Sequence, residues 1–231
     1  MFERLDWSLA RSARAWDALA EAGSPARALI EEAMAFHGLA NRMMAPVAAP
    51  GQPSAACAPS AGAARSYVEE IARLVWTALT IPLDLGPAAP PARLCDVEPS
   101  DRLREIEFHV RSPSAQALGL PAASGAQQCD GGYIYGIIDL VFRHSGRVYV
   151  LDWKSNHIEG GYGTAALERK MSEEGYDLQA RLYSQAVVQW LAARGQAPGT
   201  FGGTLYLFLR GLDPARPGQG ILHIPPGHFG P

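Results

Sequence analysis

Three charged residues near the middle of the chain have the types and the spacing of a metal-dependent hydrolytic site. Twelve residues separate Asp139 from Asp152, and Lys154 follows two positions later. Two carboxylates whose oxygens converge on one point form a site for a hard cation, either Mg²⁺ or Mn²⁺. The backbone carbonyl of Trp153 is a further candidate ligand. The lysine could orient a water molecule or stabilise negative charge that develops on a phosphate.

A structural salt bridge is the alternative interpretation of the same residues, with Lys154 between Asp139 and Asp152. Two acids facing one base leave one charge unpaired, and a buried unpaired charge is costly. The sequence therefore favours the metal site over the salt bridge, and it leaves the salt bridge open.

A β-hairpin is predicted to bring these residues together. The flanking runs, 133–142 and 148–153, are rich in the β-branched and aromatic residues that favour strands. If Ser145-Gly146 is a two-residue loop, Asp139 and Asp152 are cross-strand neighbours with Cβ atoms roughly 4.5–5.5 Å apart. Because side chains alternate along a strand, Lys154 then points to the same face as Asp152.

Further candidates lie in the segments on either side of the hairpin. Residues 102–110 alternate like a strand, which places Leu103 and Glu105 on one face. Glu105 is a candidate third carboxylate ligand, although a solvated sheet edge is the simpler interpretation of this residue taken by itself. Gln179 and Tyr183 are spaced i, i+4 on one face of a predicted helix, where they could support the site. A half-buried tyrosine beside a polar glutamine is the simpler interpretation of that pair.

The periodicity of the whole chain predicts an α/β protein. Three parts are expected in order: a helical N-terminal part (1–82), a core (100–210) and a C-terminal tail (211–231). Residues 46–64 are rich in Ala, Pro, Gly and Ser, which predicts a flexible loop. A helix from about 164 to 194, interrupted at Gly175, separates the hairpin from a further strand at 201–210. This order gives a mixed central sheet flanked by helices.

Composition excludes several classes of protein. At 231 residues and 48% hydrophobic content the chain can bury a substantial core. No run of 18 apolar residues occurs, so neither a transmembrane helix nor a membrane partner is expected. The charged N-terminus and the three scattered cysteines favour a cytoplasmic location over secretion. The net charge of −3 provides no overall attraction to nucleic acid.

The motif Asp139, Asp152-Trp153-Lys154, followed by Gln179 and Tyr183, resembles that of the PD-(D/E)xK nucleases. More closely, GIIDLVFRHSGRVYVLDWKSN, YDLQARLYSQAV and FGGTLYLFLRG resemble the C-terminal nuclease domain of RecB, the β subunit of exodeoxyribonuclease V. The segments REIEF and FERLDW fit upstream parts of the same domain. The resemblance extends in order over most of the chain and is most specific from residue 136 to residue 156.

This resemblance implies a PD-(D/E)xK nuclease-like fold and a Mg²⁺-dependent DNA nuclease of the exodeoxyribonuclease V type. It implies that the residues at 139 and 152 bind metal, that Asp152 and Lys154 are catalytic, and that Gln179 and Tyr183 support the site or contact DNA. The resemblance also implies that Glu105 belongs to this group of site residues. The implied setting is a RecB-type helicase–nuclease in double-strand break repair, with DNA and with RecC-like and RecD-like subunits as partners.

Two departures from that family leave alternatives open. No phosphate-binding loop occurs, so neither an ATP site nor the helicase motor is expected in this chain. The family also has a metal-binding histidine in a segment that would precede Met1, so an N-terminally truncated fragment with impaired activity is expected. The alternatives are a catalytically impaired nuclease-fold module that docks DNA or a protein, and a standalone nuclease of the same superfamily.

Overall fold

The computed structural model describes residues 2, 4–37, 66–87, 89–111 and 133–228. The chain divides into two units, Met1–Thr80 and Ile81–Pro231. The flexible loop predicted at residues 46–64 lies outside the described residues.

Four helices are described in the first unit, and local capping signals define where two of them begin. They are α1 (Ser8–Ser12), α2 (Asp17–Ala20), α3 (Pro25–Phe36) and α4 (Tyr67–Thr80). The Ser24 hydroxyl accepts a hydrogen bond from the Ala26 backbone N–H at 3.2 Å, which caps the N-terminus of α3. Ser66 and Glu69 form a reciprocal capping box at the start of α4, with distances of 3.2 and 2.7 Å.

The described part of the second unit contains a mixed five-stranded sheet, as predicted. The strands are β1 (Arg102–Arg111), β2 (Tyr133–His144), β3 (Arg147–Lys154), β4 (Phe201–Phe208) and β5 (Ile221–Ile224), and they lie in this order across the sheet. Neighbouring strands are antiparallel except β3 and β4, which are parallel. A parallel pair requires a crossover connection, and here α5 (Thr164–Glu173) and α6 (Tyr176–Ala193) provide it.

The turn between β2 and β3 has the geometry that the sequence predicted. Ser145 and Gly146 have φ values of 49° and 75°, and positive φ at both central residues is typical of a two-residue type I′ hairpin. The ladder that starts at this turn ends with Leu140 opposite Leu151. The predicted register is therefore confirmed, and Asp139 and Asp152 occupy the next position along the two strands.

Strand β1 departs from the predicted alternation at Glu105, whose φ is 49°. The ladder with β2 has no partner for Glu105, although the residues on both sides of it are paired. Leu103 lies opposite Val141, and Val141 packs in the same buried cluster as Ile106. Because directly opposed residues share a face, Leu103 lies on the same face as Ile106, whereas strict alternation would put these two residues on opposite faces. The irregular backbone at Glu105 shifts the alternation by one residue.

Helix α6 covers one face of the sheet with a buried stripe. Gly175, with a φ of 71°, separates α5 from α6, as the sequence predicted. Tyr183, Val187 and Leu191 recur at a spacing of four residues and pack with Val148 and Val150 of β3 among others. This stripe fixes which helical residues face the end of β3.

Strand β4 is buried along its whole length because it lies between β3 and β5. The predicted C-terminal tail is wrong in this respect, because residues 221–224 form β5 and pair with β4. Four residues between Gly-rich segments are too few to give a strand signal in the sequence. Every helix in the described part of the chain is too short or too polar to cross a bilayer.

Gly202 in β4 provides a test of how tightly the sheet is packed. A Cβ atom at this position would overlap the ring of Tyr149, which is fully buried. Gly202→Ala is therefore expected to lower the free energy of unfolding by about 1–3 kcal/mol, measured by urea denaturation. Gly199→Ala is the matched control, because a Cβ atom there would meet no atom within 4 Å. Equal stability of the two variants would contradict this packing.

Candidate active site

A buried ion pair lies at the C-terminal end of β3. The Lys154 ammonium is 2.6 Å from the Asp152 carboxylate, and both residues are buried, with 8% and 3% of their surface exposed. They share a face because they are two residues apart on one strand. The salt bridge considered from the sequence is thus present for Asp152, and it brings the predicted acid and base into direct contact.

Asp139 lies beside this pair, where the β2–β3 ladder ends. One of its carboxylate oxygens accepts a hydrogen bond from the Trp153 backbone N–H at 3.0 Å. Asp139 therefore contacts the dipeptide between Asp152 and Lys154 directly, and it is only partly buried. The hairpin places the three predicted residues together, as expected from its register.

The electrostatics of Asp152 show that this arrangement carries excess negative charge. Burial, followed by repulsion from the nearby Asp139 carboxylate, raises the pKa of Asp152 to about 6 against the opposing effect of the Lys154 ammonium. One ammonium thus fails to offset both the loss of solvation and the repulsion between two carboxylates. A second cation at this point would stabilise the ionised form of Asp152.

The raised pKa of Asp152 predicts how stability changes with pH in the metal-free protein. The fold favours the protonated carboxyl, so stability present below the ordinary pKa of 3.8 is lost as the pH rises through about 6. Relative to Asp152→Asn, the free energy of unfolding of the wild type is expected to fall by about 3 kcal/mol across this range. Urea denaturation with a chelator at a series of pH values measures it. Parallel pH profiles for the two proteins would contradict the shift.

Helix α6 contributes two side chains to a chain of hydrogen bonds that begins at the Lys154 ammonium. The Lys154 ammonium donates to the Gln179 side-chain oxygen at 2.9 Å, and the Gln179 amide donates to the Tyr183 hydroxyl at 2.8 Å. The Tyr183 hydroxyl lies 2.7 Å from the Ile137 carbonyl and 3.4 Å from the Asp152 carboxylate. Since a hydroxyl has one proton, Tyr183 donates to the nearer Ile137 carbonyl.

The Tyr183 hydroxyl stays protonated in this environment. Burial raises the pKa of Tyr183, and the carboxylates of Asp152 and Asp139 raise it further. Both residues that the sequence singled out on this helix therefore contact the ion pair or its immediate neighbours. Their i, i+4 spacing was the signal, and the structure shows its cause: one residue binds Lys154 and the next turn approaches Asp152.

Two aromatic residues at the site were missed in the sequence. The Lys154 ammonium lies 3.8 Å from the centroid of the Tyr176 ring and 5.4 Å from that of Tyr206. Tyr206 lies opposite Asp152 in the β3–β4 ladder. Tyr176 precedes Gln179 by three residues, so an i, i+3, i+7 pattern with Tyr183 would have found it. Tyr206 sits in a continuous apolar run and carries no comparable signal.

The remaining candidate metal ligands are the Glu105 carboxylate and the Trp153 backbone carbonyl. Glu105 falls in the ladder gap opposite Asp139 and is exposed. Trp153 pairs with Leu207 of β4, and its carbonyl lies between the two residues of the ion pair. Among the described residues, no three His, Cys, Asp or Glu side chains gather closely enough to hold a metal ion. Two carboxylates and a backbone carbonyl are hard oxygen donors, and donors of this kind fit Mg²⁺, which commonly keeps several waters.

Comparison with known proteins shows the family to which the chain belongs. The family described as the PD-(D/E)XK nuclease superfamily matches residues 8–222. The RecBCD enzyme subunit RecB of Escherichia coli is 45% identical over 96 residues, which are 39% of this chain and 8% of that relative. The same subunit of Borreliella burgdorferi is 28% identical over 152 residues, 62% of this chain and 12% of the relative. In Haemophilus influenzae it is 35% identical over 137 residues, 57% of this chain and 10% of the relative. The chain thus spans about a tenth of the length of these relatives.

Proposed function

The chain belongs to the PD-(D/E)XK nuclease superfamily. We propose that it is a Mg²⁺-dependent deoxyribonuclease that hydrolyses phosphodiester bonds in an active site formed by Asp139, Asp152 and Lys154. The observation that carries the proposal is the cluster at the end of the β2–β3 ladder. It places the buried Lys154 ammonium 2.6 Å from the Asp152 carboxylate. The Asp139 carboxylate accepts a hydrogen bond from the backbone N–H of the residue between them, Trp153. Mn²⁺ could replace Mg²⁺, since both prefer carboxylate and carbonyl oxygens.

Each residue of the cluster has a separate role in this proposal. Asp139, Asp152 and the Trp153 carbonyl would hold the metal, with Glu105 as a candidate fourth ligand. A bound Mg²⁺ would lower the pKa of an attacking water and polarise the phosphate. Lys154 has three N–H donors, and Asp152 and Gln179 accept from two of them. The third can donate to a phosphate oxygen, where it stabilises the negative charge that develops as the bond breaks.

The relatives suggest the setting of this activity. They are the RecB subunit of the RecBCD enzyme. We therefore propose that this chain acts on DNA in double-strand break repair, together with RecC-like and RecD-like subunits. The net charge of −3 supports the need for such partners, because few phosphates can be neutralised by this chain itself.

Substrate and metal are tested together on the purified chain. Linear duplex DNA, single-stranded DNA and an RNA of the same sequence are incubated with excess chelator and then with increasing Mg²⁺. We expect cleavage of DNA only once Mg²⁺ exceeds the chelator, and little cleavage of RNA. Cleavage that is equally fast in chelator would remove the metal from the account, and RNA cut as fast as DNA would remove the substrate class.

A catalytically impaired module that docks DNA or a protein is the second candidate. It is favoured by the ion pair, because Lys154 already occupies Asp152 as a partner, and by the small number of side-chain ligands among the described residues. The same experiment separates the two candidates. DNA that is bound but left intact at every Mg²⁺ concentration would favour the docking module.

A further inference from the structure

The Lys154 ammonium is seated against an aromatic face that is itself held firmly in place. Its nitrogen lies 3.8 Å from the centroid of the Tyr176 ring, within the range at which a ring attracts a cation. Lys154 is only 8% exposed, so little water competes with this attraction. The ammonium contacts the face of an uncharged ring, so this contact leaves the charges of Asp152 and Asp139 unchanged.

Tyr176 is anchored from three sides. Its hydroxyl donates to the Asn156 side-chain oxygen at 3.2 Å, which ties it to the chain just after β3. Its ring stacks on that of Tyr206 with a centroid separation of 6.2 Å and an interplanar angle of 17°. The Tyr206 hydroxyl lies 3.4 Å from the Tyr176 carbonyl and 3.3 Å from the Gln179 oxygen that binds Lys154.

We propose that Tyr176 is a positioning residue that fixes the Lys154 ammonium for catalysis, a role that rests on the proposed nuclease function. A lysine side chain has four rotatable bonds and loses considerable rotamer freedom when it is held in one place. Asp152 and Gln179 restrain the nitrogen through two of its protons. The Tyr176 ring closes a further side without requiring a proton acceptor, and so leaves an N–H for the substrate.

A packing role makes a different prediction, because Tyr176 also lies against the buried cluster that contains Leu167 and Met171. If packing were its whole role, loss of the ring would lower stability and leave the environment of Lys154 unchanged in the folded fraction. The two roles are therefore separated by a signal from Lys154 itself.

The test compares Tyr176→Phe, which keeps the ring, with Tyr176→Leu, which removes it. The chain has two lysines, Lys154 and Lys170, so a chain labelled with ¹³C-lysine gives two sets of side-chain NMR signals. We expect the Lys154 side-chain protons next to the nitrogen to be shifted by the ring in the wild type and in Tyr176→Phe. Tyr176→Leu should lose this shift, while Lys170 remains unchanged in all three proteins as the internal control.

Cleavage kinetics supply the second measurement. Displacement of a catalytic group by about 1 Å can cost ~10²-fold in rate. Tyr176→Leu is therefore expected to lower kcat by about 10–100-fold with little change in KM. Tyr176→Phe is expected to retain most of the wild-type kcat. An unshifted Lys154 signal in the wild type, or equal losses of kcat in the two variants, would overturn the proposal.

The two measurements fail separately. If Tyr176→Leu does not fold, contacts between the Lys154 protons and the ring in the NMR spectrum of the wild type replace it, and their absence overturns the proposal. If the wild type cleaves no DNA while the ring shift is present, the nuclease function fails and the seating of Lys154 by Tyr176 stands.

Discussion

Lys154→Ala is expected to reduce kcat for DNA cleavage by at least about 10²–10³-fold, the loss typical of removing one preorganised group that stabilises transition-state charge. DNA binding should change little, because the residue is buried and its role depends on the reacting phosphate. Loss of the ammonium leaves Asp152 beside Asp139, which raises the pKa of Asp152 further. The carboxyl can then bind a proton, so we expect the fold to persist.

Lys170→Ala is the matched control, because Lys170 is the other lysine of the chain. It pairs with Glu173 and Glu174 on the surface of α5, at 3.0 and 3.2 Å. Surface pairs of this kind contribute about 0–1 kcal/mol, so kcat should stay near the wild-type value. A Lys154→Ala protein that unfolds while its folded fraction cleaves normally would show that the ion pair is structural.

Asp152→Ala is expected to have the second large effect, on metal binding. Loss of even a group that only orients a metal ligand costs about 10–100-fold in affinity, and loss of a ligand should cost at least as much. Isothermal titration of Mg²⁺ into the folded protein measures this, and cleavage should fall to background. Because the variant leaves the buried Lys154 ammonium without its carboxylate partner, circular dichroism and urea denaturation first establish that the titrated protein is folded.

Glu31→Ala is a suitable control for the loss of a carboxylate. Glu31 forms an exposed i, i+4 pair with Arg27 on α3 of the first unit, and its loss should leave Mg²⁺ binding unchanged. Equal Mg²⁺ affinity in the wild type, Glu31→Ala and Asp152→Ala would remove the metal site from Asp152.

Local signals made the centre of this site predictable. A two-residue turn with glycine at its second position fixes the hairpin register, and the register fixes which residues lie across from each other. The contact of Lys154 with Asp152 follows from their spacing of two on one strand. Gln179 and Tyr183 are four residues apart, so they share one face of the helix, and this face meets Lys154.

The features that were missed depend on contacts between distant segments. The positive φ of Glu105 is not marked by a glycine, so strict alternation gave no sign that Leu103 and Ile106 share a face. Strand β5 forms because the edge of β4 needs hydrogen-bond partners, and its own four residues carry little signal. Tyr206 reaches Lys154 from a strand more than 50 residues away.

The central claim is that Asp152 and Lys154 carry the chemistry of a Mg²⁺-dependent nuclease. Its most direct test is the rate of Mg²⁺-dependent cleavage of linear DNA by the Asp152→Ala/Lys154→Ala double variant, purified in parallel with the wild type. The account predicts that the wild type cleaves the DNA and that the double variant leaves it intact at every Mg²⁺ concentration. A double variant that cleaves as fast as the wild type would contradict the account.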